Sequence, residues 1–430
     1  MRDGDQTIKV AALGRVEGEG ALHVSVKRGV VDDVRLELYE PPRFFESLLR
    51  GRSYLDPVDI TARICGICPV AYQMSAAAAI EDACGVSIDG AIRDLRLLIY
   101  CGEWIESHAL HIYMLHAPDF LGYDGAIEMA RDHPDRVRAG LELKKVGNQV
   151  VEVVGGRPVH PVNPRVGGFH RAPTRRELEP LLAPLERAYE MARETVRWTA
   201  TFGFADNVLD CELVSLSHPS EYAILGERIT STRGLDVPVS AFAEEFKEDQ
   251  SGHSTALISR HRGKPYLVGP LARFVLNFEK LSDDVRAEAA RAGVGPSCRN
   301  PFQTIVIRAL ETMEACALAL RLIASYAEPA AGYVDVRPRA ATGYGASEAP
   351  RGLLYHRYRL DNDGRIEQAV IVPPTAQNQL AIEDDLRAVV GANLRLPREQ
   401  LQALSEQTIR NYDPCISCAT HFLTVEVDEA

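Results

Sequence analysis

Two Cys-x-x-Cys pairs, Cys65-Gly66-Ile67-Cys68 and Cys415-Ile416-Ser417-Cys418, stand at opposite ends of the chain, with nearly all of its 430 residues between them. Four thiolates delivered in two such pairs close around metal, so the fold has to bring its two ends together. Tetrahedral zinc is the plainest reading of four cysteines, but zinc modules of that kind carry their pairs roughly 15–20 residues apart. Nor does a chain of this length need a zinc staple to build a core. Spacing alone therefore leaves structural zinc, iron–sulfur ligation and a softer catalytic metal open.

The other five cysteines, Cys84, Cys101, Cys211, Cys298 and Cys316, are scattered singly and read as reduced, buried small hydrophobes rather than a disulfide framework. A formal charge of −12 argues against nucleic-acid binding, because no Lys/Arg stripe is left to neutralise phosphates. No stretch approaches the roughly 18 consecutive apolar residues of a membrane span. The opening MRDGDQTIKV does not read as a signal peptide, which favours the cytoplasm.

From Thr7 to Tyr39 apolar and polar residues alternate around the turn Arg28-Gly29, predicting a small β-sheet with a hairpin. Asp56-Pro57 reads as an N-cap followed by proline at the first helical position. Pro69 restarts a helix that ends at Gly85, which places the first cysteine pair in a tight turn. Cys68 then lies beside a helix N-terminus, whose N–H groups favour a thiolate. Long helical patterns follow over 90–116, 135–154, 174–202 and 301–326. Between Leu209 and Pro270 many Gly, Ser and Pro breaks suggest an α+β lobe. LLYHRYRLDNDGRIEQAVIV reads as two strands around Asn362-Asp363-Gly364, and 382–390 and 398–412 are helical. The expected fold class is α+β, mainly α: a long central helix bundle with an N-terminal β-sheet and peripheral α/β lobes. The expected divisions are 1–55 (β-rich), 56–205 with 300–330 (bundle), 206–299 (α+β) and 331–421 (a C-terminal lobe returning to the site).

The neighbours of the cysteines carry a resemblance. Arg63-Ile64-Cys65-Gly66-Ile67-Cys68 together with Asp413-Pro414-Cys415-Ile416-Ser417-Cys418-Ala419-Thr420-His421 resembles the paired nickel-binding motifs of [NiFe] hydrogenase large subunits. Arg15-Val16-Glu17-Gly18 looks like that family's first motif, and Gly155-Gly156-Arg157 through His160-Pro161 to Gly167-Gly168 its central one. Ala349-Pro350-Arg351-Gly352 and Val372-Pro373-Pro374-Thr375 with Asn378 look like the late ones. The motifs keep the family's order and span the chain. RICGICPVAYQMSA and the close DPCISCATHFL are most similar to the cytoplasmic multisubunit group linked to NADP(H), the sulfhydrogenases.

The resemblance implies nickel held by Cys65, Cys68, Cys415 and Cys418, with Cys68 and Cys418 also bridging to an iron that carries cyanide and carbon monoxide. It implies reversible heterolytic cleavage of H2, with the proton passing to Cys415 and then Glu17. Arg351 is similar to the family arginine above the open metal position, its approach stiffened by Pro350. Asp119 and Asp413 match family aspartates near the site that anchor that arginine or add charge around the centre; for Asp119 a helix-terminal structural role is the alternative. Glu46 and His421 resemble the ligands of a magnesium ion. Three residues depart from the family pattern: Tyr72 replaces a common histidine, Glu19 another, and Pro374 a serine that often receives cyanide, which leaves Thr375 or backbone N–H groups as donors.

The chain has no further cysteine groups for iron–sulfur clusters and no Gly-x-Gly-x-x-Gly for a dinucleotide. The resemblance accordingly implies a small Fe–S subunit, further Fe–S subunits and a diaphorase carrying FAD and NAD(P). It also implies a maturation protease that removes residues 422–430. Two rivals are a non-catalytic relative of the complex I quinone-site subunit, whose members lack the cysteine pairs, and a four-cysteine zinc scaffold.

Overall fold

The computed structural model describes residues 6–420. The N-terminal alternation folds into three antiparallel strands, Gln6–Val10, Gly20–Lys27 and Val30–Leu38, in sequential order. One face of this sheet sends Leu22, Val24, Leu36 and Leu38 into the core. The hairpin turn holds Arg28 at φ 51 and Gly29 at φ 74, the two left-handed residues that a tight hairpin needs.

Four long helices form the centre: Gly90–Leu110, Pro134–Gly155, Leu182–Thr199 and Thr304–Ser325. Their apolar faces merge with the inner face of the N-terminal sheet in one continuous core. The first of them runs on through a π-helical stretch, His111–His116. The helix expected over 174–202 divides instead into Arg175–Leu178, a 3-10 turn at Glu179–Leu181, and Leu182–Thr199. Pro180 accounts for the break, because it has no N–H to continue the ladder.

The alanine-rich helix Pro69–Cys84 is buried on almost every side. Small residues are needed because a strand, Ala341–Ala349, lies directly across it. A Cβ at Gly343 would fall 2.0 Å from the Ala79 carbonyl, and one at Gly345 2.4 Å from that of Ser75. This strand pairs with Gly352–Leu360, which pairs with Ile366–Val372 around the expected turn. Sequence patterning passed over the first of the three, since ATGYGASEA has a single β-branched residue, Thr342, among glycines and alanines that do not mark a strand.

A four-stranded sheet, in the order Tyr266–Leu267, Glu212–Ser217, Arg228–Ser231, Asp236–Pro238, packs against the C-terminal sheet around a smaller core containing Val214, Leu216, Phe242 and Tyr355. Among the described residues no helix is long and apolar enough to cross a membrane. Of the five single cysteines, all but the half-buried Cys211 are buried, and none forms a disulfide.

Candidate metal centre

The first cysteine pair is delivered by the short helix Pro57–Thr61 and the 3-10 turn Ala62–Ile64, after which Cys65 is extended. Proline sits at the first helical position as expected, but the Asp56 side chain makes no capping hydrogen bond. The second pair follows a left-handed turn at Asp413, φ 51, and ends in the single helical turn Ile416–Ala419. Here the two ends of the chain meet. Glu17 and Cys415 form a parallel β-bridge, and Ile416 N donates to Glu17 O at 2.9 Å.

The four sulfurs are buried and lie within 4.8 Å of one another, and they are the one cluster of potential metal ligands among the described residues. Cys65 Sγ is 3.5 Å from Cys415 Sγ, and Cys68 Sγ is 3.6 Å from Cys418 Sγ. Hydrogen bonding from Cys415, followed by that from Cys418 and Cys68, holds the Cys65 thiol well below its ordinary range. Burial pushes Cys415 up. The sequence pointed to Cys68 as the thiol served by helix N–H groups, and the structure corrects this. Ile67 N and Cys68 N point at Cys65 Sγ, at 3.3 and 3.4 Å. The next N–H groups, of Val70 and Ala71, donate to Glu103 Oε2 and Oε1 at 2.6 and 3.1 Å. Burial holds the Glu103 carboxyl far above the usual range.

Glu17 reaches the site through its side chain as well as its backbone. Its Oε2 accepts from Cys415 Sγ at 3.0 Å and from Ser417 N at 3.1 Å. Unlike the sulfurs it is only half-buried, and Ser417 Oγ continues to Glu40 at 2.9 Å. Thr375 Oγ1 accepts from Cys415 N at 2.9 Å.

Arg351 enters from another direction. Its Nε donates to Asp413 O at 2.9 Å and its Nη2 to Asp413 Oδ1 at 3.0 Å. Burial opposes its charge, but Asp413 and the cysteines outweigh that and keep it firmly protonated. Arg351 Nη1 and Asp413 Oδ2 are buried without a hydrogen-bond partner among the described residues. A buried donor left unpaired is costly, so a free guanidinium nitrogen beside four sulfurs is suited to an acceptor brought by whatever the sulfurs bind.

Other expected site residues lie further out. Asp119 does not anchor Arg351; its carboxylate is spent on Arg15 at 2.5 Å and Arg410 at 2.8 Å. Pro350 contributes its carbonyl to Arg273. Glu46 accepts from Ile371 N at 2.7 Å, and burial pushes its carboxyl up to about 7. His421 and residues 422–430 lie outside the described residues. Tyr72 donates to the Cys418 carbonyl at 3.4 Å and packs edge-on to His356.

Sequence reasoning missed Glu103, Arg273 and Arg43. Arg43 donates to Ile64 O at 2.7 Å and also to Ser417 O, tying the two cysteine segments together. For Glu103 and Arg273 the available signal was a charge inside an otherwise apolar stretch.

A family profile described as Nickel-dependent hydrogenase matches residues 43–137 and 232–421. Sulfhydrogenase 2 subunit alpha of Pyrococcus furiosus is 32% identical over 424 residues, covering 97% of this chain and 99% of that protein. Sulfhydrogenase 1 subunit alpha of the same organism is 31% identical, covering 96% and 97%. Among solved structures, an NAD+-reducing [NiFe]-hydrogenase in the H2-reduced state superposes with a TM-score of 0.87 at 25% identity, covering 97% of this chain and 99% of that one.

Proposed function

The chain belongs to the nickel-dependent hydrogenase family, and from that premise we propose that Cys65, Cys68, Cys415 and Cys418 hold a nickel–iron centre, Cys68 and Cys418 bridging its two metals. The observation that carries this reading is the convergence of four buried sulfurs from both ends of the chain within 4.8 Å. Soft thiolates suit nickel, and the donor left free on Arg351 fits cyanide or carbon monoxide ligands on iron. When bound, the centre supplies the reversible heterolytic cleavage of H2 into protons and electrons.

The chain's own residues then divide the work. Cys415 passes a proton to Glu17, which already lies 3.0 Å from its sulfur and reaches toward the surface. Arg351, fixed by Asp413, holds a positive charge and directed donors over the site. Pro350 and Thr375 set the backbone on either side, with Thr375 fixing the Cys415 amide. Asp119 acts at one remove, by holding Arg410 beside the C-terminal segment. Glu46 would hold a magnesium ion, with His421 as its counterpart.

Electrons leave through partners, since the described residues offer no second metal cluster. Relatives named as subunit alpha, and a relative in structure named NAD+-reducing, support a multisubunit complex linked to NAD(P); we place in it a small Fe–S subunit and a flavin module, in the cytoplasm. We place the removal of residues 422–430 after metal insertion; an active subunit whose intact mass ends at His421 would support it.

Metal analysis and infrared spectroscopy of the purified complex test the proposal. Nickel with iron, and cyanide and carbonyl stretches, are the expected result. Zinc alone would make the protein a scaffold, and an absence of metal would place it with the quinone-site lineage.

A further inference from the structure

Arg273 is fully buried, on the first turn of the helix Pro270–Asn277. A guanidinium has five N–H donors, and here all five are engaged. Nε and Nη2 grip Glu311 at 2.9 and 2.8 Å, Nη1 reaches Glu348 at 3.0 Å, and the remaining two go to backbone carbonyls: Nη1 to Ala349 O at 2.7 Å and Nη2 to Pro350 O at 2.9 Å. The Arg273 Cζ lies over the Trp104 ring, 4.4 Å from the centroid. The two acids are fixed in turn. Glu311 accepts from Tyr222 Oη at 2.7 Å, and Glu348 from Leu216 N at 2.8 Å.

Buried ion pairs of this kind are a poor source of net stability, because desolvating the charges offsets most of their attraction. What the arrangement does deliver is location. The two carbonyls held by Arg273 belong to the residues immediately before Arg351. The Arg351 backbone itself packs against the same segment: Gly269, at φ 113, lies so close under the Arg351 carbonyl that a Cβ there would be 2.7 Å from it. Asn378 pins Val268, one residue earlier, through both its N–H and its carbonyl at 2.8 and 3.2 Å. Asp413 holds the head of Arg351, and the 268–273 segment holds its root.

We propose that Arg273 is a positioning residue for the hydrogenase reaction: by fixing the Ala349 and Pro350 carbonyls it sets how far the Arg351 guanidinium reaches over the metal centre. This rests on the nickel–iron reading above. Lysine cannot reproduce the role, having three donors on one nitrogen and no fork. A displaced root tilts the guanidinium, and misplacements of about 1 Å in a supporting residue can cost on the order of 100-fold in rate.

The test uses the purified holo-complex with Arg273→Lys and, as a milder change, Glu348→Gln. In Arg273→Lys the expected result is wild-type nickel and iron content, shifted cyanide and carbonyl bands, faster amide exchange over 349–352, and a kcat lowered roughly 10- to 100-fold at unchanged KM for H2. Glu348→Gln should move the same bands in the same direction by less. Unchanged bands and unchanged amide exchange in Arg273→Lys overturn the proposal, even if its melting temperature falls. Should Arg273→Lys fail to load metal, Glu348→Gln decides alone, and unchanged bands there overturn the proposal. A wild-type complex without those bands would instead remove the nickel–iron reading itself.

Discussion

The four-sulfur pocket has two flanks built on opposite plans. On the Glu17 flank a half-buried carboxylate sits on irregular chain, joined to the cysteine segment by one β-bridge and two N–H groups, with Ser417 and Glu40 continuing outward. On the Arg351 flank a buried guanidinium is paired with Asp413 and rooted by Arg273 in a network of charges that is fully enclosed. A group that must give up and regain protons needs a path to solvent and neighbours that tolerate both of its states. A group that must present a constant field needs the reverse: burial, several fixed partners and no freedom to turn. The contrast shows how one pocket can hold a mobile charge on one flank and a fixed charge on the other.

The largest effect should come from a substitution in the pocket that the two flanks share. Cys415→Ser removes the sulfur that Glu17 touches and a ligand of the centre, so nickel content and H2 oxidation should both be lost; retained nickel would show that the site needs only three thiolates. Glu17→Gln attacks the first flank alone. It keeps the shape but cannot accept a proton, and should lower kcat on the order of 10²–10⁴-fold with metal content intact. A near-normal kcat would mean that protons leave by another route. Arg351→Lys attacks the second flank and should cost about 10²-fold in kcat, with altered cyanide and carbonyl stretches.

A smaller effect should appear in stability rather than turnover, and only on the enclosed flank. His108 lies 3.0 Å from Glu311, the acid that grips Arg273, and burial, the largest influence, pushes its pKa down from 6.5 to about 4. The folded protein therefore keeps His108 neutral where the unfolded chain would protonate it. Stability is fully present above pH 6.5 and is lost as pH falls toward about 4, at a cost approaching about 3 kcal/mol. Denaturant unfolding from pH 7 to 4.5 should show this slope together with that of His111 and His116, which burial shifts the same way, and His108→Gln should make it shallower. An equal slope in the variant would assign the acid sensitivity elsewhere.

Legibility followed the same division. Glu17, the cysteines and Arg351 were readable because each sits in a short motif. Their supports were not. Glu103 serves Val70 and Ala71 from a different helix, and Arg273 serves Ala349 and Pro350 from a different lobe, so nothing near either residue in sequence announces its partner. Asp119, read either as a site aspartate or as a helix-terminal structural one, lies in the first turn of the helix Ala117–Leu121 and pairs with Arg15 and Arg410, partners that no local pattern names. The Ala341–Ala349 strand was illegible for a packing reason, since its glycines answer to the helix beneath it rather than to any strand preference of their own.

The sequence by itself determined the donor set, the need for the chain's ends to meet, the helical centre and the β-rich start, because covalent spacing and hydrophobic period are local quantities. The tertiary structure alone decided which acid receives the Val70 and Ala71 N–H groups, which acid meets which arginine, and what holds the site's arginine in place. Those outcomes depend on which surfaces come to face each other after burial, where a charge without a partner is costly enough that the fold must supply one from wherever in the chain it lies.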